Sequence, residues 1–160
     1  MTDTQQLLKD HILGLAHVGF IVPSLEDAMA NACRVYGLAP ADFSCQPPPG
    51  EEASTRFAFF RVGDLQFELI EPRSAHFRKV LLGMPSGGAG INHVAWRVDD
   101  IEAAVAVLGR NGIRPGHVTP EGIVTMGARK MVYLDLATTG GLVIELIEYP
   151  AQASDVSQHA

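Results

Sequence analysis

Two histidine–glutamate pairs, spaced alike along the chain, are the residues whose types could do chemistry. His17 opens the run His17-Val18-Gly19-Phe20-Ile21-Val22, and His93 opens its match, His93-Val94-Ala95-Trp96-Arg97-Val98. Further on, Phe67-Glu68-Leu69-Ile70-Glu71-Pro72 is echoed by Ile144-Glu145-Leu146-Ile147-Glu148-Tyr149-Pro150. The histidines lie 76 positions apart and the glutamates 77. A near-constant offset over two unlike motifs marks an internal duplication. Two imidazoles and two carboxylates, His17, Glu68, His93 and Glu145, form a donor set for a divalent metal ion, with Mn, Fe, Co, Ni and Zn all suited to it. The same residues admit a structural reading in which each histidine pairs with the glutamate of its own copy, or each glutamate faces solvent.

Strand alternation bears on that choice. Side chains in a strand point to opposite faces in turn. Val18, Phe20 and Val22 share one face, leaving His17, Gly19 and Ile21 on the other; Val94, Trp96 and Val98 lie opposite His93, Ala95 and Arg97. Phe67 and Leu69 lie opposite Glu68, and Ile144 and Leu146 opposite Glu145. All four polar residues thus avoid the face carrying the large apolar side chains, where helices are expected to pack. A carboxylate inside an apolar strand needs a partner, because an unpaired buried charge is costly.

The elements that must position these residues follow from pattern and punctuation. Residues 1–14 place Leu7, Leu8, Ile12 and Leu13 at helix-like spacing and read as an amphipathic arm. A strand from Leu15 to Val22 leads to Ser24, an N-cap with Asp27 three places on, and a helix from Leu25 to Tyr36 stopped by Gly37. Pro47-Pro48-Pro49-Gly50 forces a loop. Strands follow near Phe43, at Thr55–Val62 and at Leu65–Glu71, with Gly63-Asp64 as a hairpin turn. After a helical turn at 76–82 and a glycine-rich link, the order repeats: strand Ile91–Val98, helix Ile101–Asn111 stopped by Gly112, then strands near His117, at Lys130–Leu136 and at Leu142–Glu148. The expected class is α+β, two βαβββ modules (15–72 and 91–150, joined by 73–90) forming an open, cupped mixed sheet with helices outside. The tail 151–160 is small and polar and is expected to fray. His11, His117 and His159 have no echo and read as surface residues.

Composition bounds the function. With 160 residues, 47% hydrophobic and 19% charged, the chain can bury a core and is not disordered. A net charge of −6 argues against broad nucleic-acid binding, which needs a basic surface. Two clusters, Arg73 with Arg78 and Lys79, and Arg129 with Lys130, read as solvated surface. No apolar run is long enough to span a membrane. The start of the chain lacks a signal-peptide pattern, and Cys33 and Cys45 form neither a metal cluster nor a disulfide framework, so a reduced cytoplasmic protein is expected.

Two βαβββ modules with His17, Glu68, His93 and Glu145 at these places resemble the vicinal oxygen chelate superfamily of glyoxalases, bleomycin-resistance proteins and extradiol dioxygenases. Within it, Ala58-Phe59-Phe60-Arg61-Val62-Gly63, the Glu68 and His93 runs and Thr139-Gly140-Gly141-Leu142-Val143-Ile144-Glu145 are similar to the methylmalonyl-CoA epimerase family. The resemblance covers about Leu15 to Glu148. It implies one divalent metal ion on the four ligands, an acyl-CoA-type substrate, a homodimer, and epimerisation at C2 by proton abstraction through a metal-stabilised enolate. Counting back from Phe60, Glu52 takes the place of the family's base, with neighbouring Glu51 serving if the loop shifts by one. Glu145, a ligand with a spare oxygen, is the second proton-transfer group. Three departures fall where substrate contacts are expected: Asp135-Leu136-Ala137 in place of His-Pro-Lys, Asn31-Ala32 in place of aromatics, and Met126-Gly127-Ala128-Arg129 without a second glycine. Within the superfamily a glyoxalase I-like lyase is the nearest rival, and a metal-free small-molecule binding protein the rival from another class.

Overall fold

The computed structural model describes residues 7–82 and 90–150. The chain forms two compact units, residues 17–94 and residues 1–16 with 95–160. The divisions fall inside strands β1 (Ile12–Ile21) and β5 (Ile91–Val98).

In the unit of residues 17–94, β1 is followed by α1 (Leu25–Tyr36), β2 (Ser44–Gln46), β3 (Thr55–Val62), β4 (Leu65–Pro72) and α2 (Ala75–Leu82). The strands lie in the order β2-β3-β4-β1. β2–β3 and β3–β4 are antiparallel, while β1 runs parallel to β4 with Gly19 opposite Glu68. Ser24 Oγ accepts the Asp27 N–H at 3.2 Å, and α1 ends at Gly37, whose φ of 74° costs glycine little. Asp27 returns no side-chain bond; the N–H of Leu25, first residue of the helix, donates instead to Glu71 Oε2 at 3.2 Å. The core joins Leu25 and Ala32 of α1 to Ala58, Phe60 and Leu69 of the sheet, with Phe20, Val22 and Phe67 packed against it. Burying a side chain such as Phe or Leu contributes about 1.5–3 kcal/mol. A one-residue slip of β4 would exchange Phe67 and Leu69 for Gln66 and Glu68, so about 3–6 kcal/mol opposes it and fixes the face on which Glu68 stands.

The other unit holds α3 (Ile101–Arg110), β6 (Val124–Met126), β7 (Arg129–Tyr133), the short α4 (Leu136–Thr139) and β8 (Ile144–Glu148), with strands in the order β5-β8-β7-β6. Asp100 Oδ1 caps α3 by accepting the Ala103 N–H at 2.9 Å. Ile101, Ala104 and Leu108 of that helix pack on Val98, Val132, Leu134 and Leu146, with Trp96 and Ile144 beside them. The α+β class and the repeated strand–helix–three-strand order agree with the sequence reading, as do the bounds of β3 and β5.

Several local expectations are corrected. β1 begins at Ile12, so Ile12 and Leu13 are strand and not helix, and only Leu8–Asp10 makes a 3-10 turn. Pairing begins earlier because the Asp99 N–H donates to the His11 carbonyl at 3.1 Å. His11 is itself 6% exposed, not a surface residue, and its Nδ1 lies 2.9 Å from Asp99 Oδ1. No strand forms at His117: Pro115 and Pro120 lack backbone donors, and His117 adopts a left-handed φ of 56°. β7 stops at Tyr133 because Asp135 caps α4, accepting the Ala137 N–H at 3.0 Å. The glycine-rich link up to residue 89, the tail 151–160 and His159 lie outside the described residues. Among the described residues no helix is long and apolar enough to cross a membrane.

Candidate metal centre

His17 of β1, Glu68 of β4 and His93 of β5 meet within the unit of residues 17–94. His17 Nε2 and His93 Nε2 are 3.0 Å apart, and Glu68 Oε2 lies 3.2 Å from the first and 3.3 Å from the second. Donors on a cation at bonds of about 2.1 Å stand about 3.0 Å apart at right angles and about 3.4 Å apart at tetrahedral angles. The three observed separations fall in that window. All three residues are buried, His17 3%, Glu68 6% and His93 1% exposed. His93 Nδ1 lies 3.0 Å from Asn92 Oδ1, a contact that orients the ring and leaves Nε2 directed at His17 and Glu68. Glu68 makes the within-copy pair with His17 and also reaches His93 of the other copy, so the three polar groups share one centre. A buried carboxylate between two imidazole nitrogens is a donor set that fits a divalent cation.

The surrounding strands explain why the three converge. Glu68 sits between Gly19 on β1 and Phe59 on β3, its direct neighbours in register. The Phe59 ring stands edge-on to His17, with centroids 6.1 Å apart. Gly19 has the tightest requirement: a Cβ there would stand 2.5 Å from His93 Nδ1 and 2.6 Å from Nε2. Its lack of a side chain opens the space the His93 ring occupies. The sequence carried a signal for this, since each histidine is followed two places on, on the same face, by a small residue, Gly19 or Ala95.

Glu145 lies on β8 in the other unit, 3% exposed and directly opposite Tyr133 of β7. Glu52 stands on the exposed loop before β3 beside Glu51; both line a cleft of 740 Å³ with Glu26, Arg56 and Arg73. That cleft is lined by none of His17, Glu68 and His93, and Glu52 makes no hydrogen bond or ion pair among the described residues.

One residue from each basic cluster, Arg73 and Lys130, and the second glutamate of each echoed motif serve a device that the sequence reading missed. Glu71 Oε2 accepts the N–H of Leu25, at the start of α1, and Glu148 Oε2 accepts that of Ile101, at the start of α3. Arg56 then joins Glu26 to Glu71, as Lys130 joins Glu102 to Glu148 in the second copy. Arg73 adds a second cation on Glu71 at 3.3 Å. The Arg56 guanidinium holds the Glu26 carboxyl below its ordinary range, and the Lys130 ammonium does the same for Glu102. Glu71 and Glu148 were visible as part of the repeat, three residues beyond each candidate ligand, yet a glutamate at a strand end has no local pattern that marks it as a helix cap.

Comparison with known proteins agrees with this architecture. Residues 16–134 match the Glyoxalase/Bleomycin resistance protein/Dioxygenase superfamily. The chain is 30% identical over 136 residues to the uncharacterized protein YqjC of Bacillus subtilis (strain 168), covering 84% of this chain and 91% of that protein. It is 27% identical over 132 residues to the mitochondrial methylmalonyl-CoA epimerase of Bos taurus, covering 82% of this chain and 72% of the other. Among solved structures, methylmalonyl-CoA epimerase from Mycobacterium tuberculosis superposes with a TM-score of 0.69 at 24% identity, covering 96% of both chains. A methylmalonyl-CoA epimerase in complex with methylmalonyl-CoA and NH4+ gives 0.67 at 19% identity, covering 88% of this chain and 96% of that one. With its duplicated strand–helix–strand order and a family match running from the first copy into the second, the chain belongs to the Glyoxalase/Bleomycin resistance protein/Dioxygenase superfamily.

Proposed function

We propose that the chain is a metal-dependent epimerase that inverts C2 of methylmalonyl-CoA or a related acyl-CoA thioester. The observation that carries the reading is the cluster of His17, Glu68 and His93 at 3.0–3.3 Å. Glu145 is the fourth ligand on the strength of the duplication, standing to His93 in the second copy as Glu68 stands to His17 in the first. A divalent cation bound by these residues supplies a Lewis acid for the thioester carbonyl. The protein's own part is to hold that cation and to move the C2 proton. His17 and His93 offer nitrogens and Glu68 a carboxylate from rigid, buried strands, so the donor positions are set before substrate arrives. Inversion needs one group to take the proton from one face of C2 and another to return it on the opposite face. Glu52, on its exposed loop, is the first of these groups, and Glu145 the second. The curated relatives named as methylmalonyl-CoA epimerases support the substrate class. A homodimer belongs to the same reading, supported by the exposed apolar side chains Leu13 and Ile91, 57% and 58% accessible.

The test is deuterium incorporation at C2 of methylmalonyl-CoA in deuterated buffer, read by mass spectrometry after incubation with the cobalt-, manganese- or zinc-loaded chain. Exchange that depends on the cation is the expected result. Glu52→Ala should keep the cation and lose the exchange. A chain that binds cation and never exchanges C2 overturns the epimerase reading, and turnover of a glutathione hemithioacetal by that chain would move it to the glyoxalase class. Sedimentation showing only monomer would remove the dimer.

A further inference from the structure

We propose that His117 is a positioning residue for Glu145, acting through Tyr133 to set the affinity of the site for a divalent cation; this rests on Glu145 being a ligand. His117 is the one non-glycine residue with a positive φ among the described residues, at 56°. A histidine is held in that region only when its surroundings over-determine it. What surrounds it converges on one neighbour. The Gly116 N–H donates to the Tyr133 carbonyl at 2.9 Å, and the Tyr133 N–H donates to Thr119 Oγ1 at 2.8 Å. The His117 ring packs edge-on to the Tyr133 ring, centroids 5.4 Å apart and planes at 71°. Thr119 is 4% exposed and Tyr133 7%. Gly116 admits no side chain, since a Cβ there would stand 2.6 Å from the Asp135 Cα. Residues 116–119 therefore take the place of a neighbouring strand at Tyr133, satisfying both its backbone groups and walling its ring.

Tyr133 is the direct cross-strand partner of Glu145. Directly opposed residues in an antiparallel pair project from the same face with Cβ atoms about 5 Å apart. Tyr133 and Glu145 thus stand side by side on one face, and the His117 ring packs against the Tyr133 ring. Groups that orient a ligand are worth about 10–100-fold in metal affinity.

The decisive variant is His117→Gly in the full chain. Glycine adopts the same φ freely, so the backbone is kept and only the ring is lost. Isothermal titration with Co(II) should show affinity falling about tenfold, with a thermal midpoint no lower than wild type without metal and a shifted absorption spectrum of the bound Co(II). Tyr133→Leu should weaken binding as well, and His117→Gly added to it should weaken binding no further. Wild-type affinity and an unchanged spectrum in His117→Gly overturn the proposal, and so does an effect that simply adds to that of Tyr133→Leu. Should His117→Gly not fold, His117→Asn, which also tolerates the left-handed region, gives the same comparison. Absence of Co(II) binding by folded wild-type chain would be a different failure: it removes the metal reading itself, and this inference with it.

Discussion

Substituting Gly19 by alanine puts one methyl group where the His93 ring now stands. The new Cβ would collide most closely with Cε1 of the ring and lie 2.5 Å from Nδ1 and 2.6 Å from Nε2, whereas contacts of this kind settle at about 3.5 Å or more, so the ring must retreat by roughly 1.5 Å. His93 is 1% exposed and tied to Asn92, which leaves it no empty space to enter. Overpacking of this size costs about 1–3 kcal/mol, while replacing glycine by alanine inside a strand returns about 0.5–1 kcal/mol. The net is a loss of about 0.5–2 kcal/mol, or a thermal midpoint lower by about 2–6 °C in a chain of this length. A retreat of that extent also breaks donor separations of 3.0–3.3 Å, and Co(II) affinity should fall by about 10–100-fold. The assay is calorimetric unfolding and Co(II) titration of Gly19→Ala, each repeated in a His93→Ala background. With the ring gone, the added methyl should be tolerated, so the two substitutions should couple strongly. Equal cost of Gly19→Ala with and without the His93 ring, or unimpaired Co(II) binding, would refute the packing argument.

Glu68→Ala should abolish cation-dependent stabilisation: Co(II) at about 100 times its Kd should add about 2.7 kcal/mol to wild type and nothing to the variant, as thermal shifts would show. Glu71→Ala should cost more than Glu148→Ala in denaturant titration, about 2–3 against about 1 kcal/mol, because Glu71 is the more buried carboxylate and also engages Arg56 and Arg73. The hydrogen bond from His11 holds the Asp99 carboxyl below its ordinary value of 3.8. A depressed carboxylate contributes stability above that value and loses it as the pH falls through the folded one. Asp99→Asn should therefore lower stability at neutral pH and flatten the acid limb below about pH 3.8, whereas an unchanged acid limb would remove Asp99 from the pH dependence.

How far the sequence reached depended on whether a residue's role was periodic. The faces of β1, β4, β5 and β8 followed from alternation, since large apolar side chains at every second place leave little freedom for His17, Glu68, His93 or Glu145. The cap at Ser24 was equally local. The Pro115–Pro120 segment defeated the pattern because it meets the sheet at one residue, Tyr133, through the Gly116 N–H and a threonine side chain and not along a ladder. His11 escaped for a related reason: its burial depends on Asp99, 88 positions away. The role of Gly19 was hidden in a different way, since a glycine whose purpose is to leave room looks the same as one required for a turn.

The fastenings at Glu71 and Glu148 differ from the donor cluster in ancestry. Leu25, Glu26, Arg56 and Glu71 all come from the first copy, and Ile101, Glu102, Lys130 and Glu148 all from the second. The cluster instead takes His17 and Glu68 from one copy and His93 from the other. A single copy thus carries everything required to clasp its helix onto its strands, yet it holds only part of the three-residue cluster.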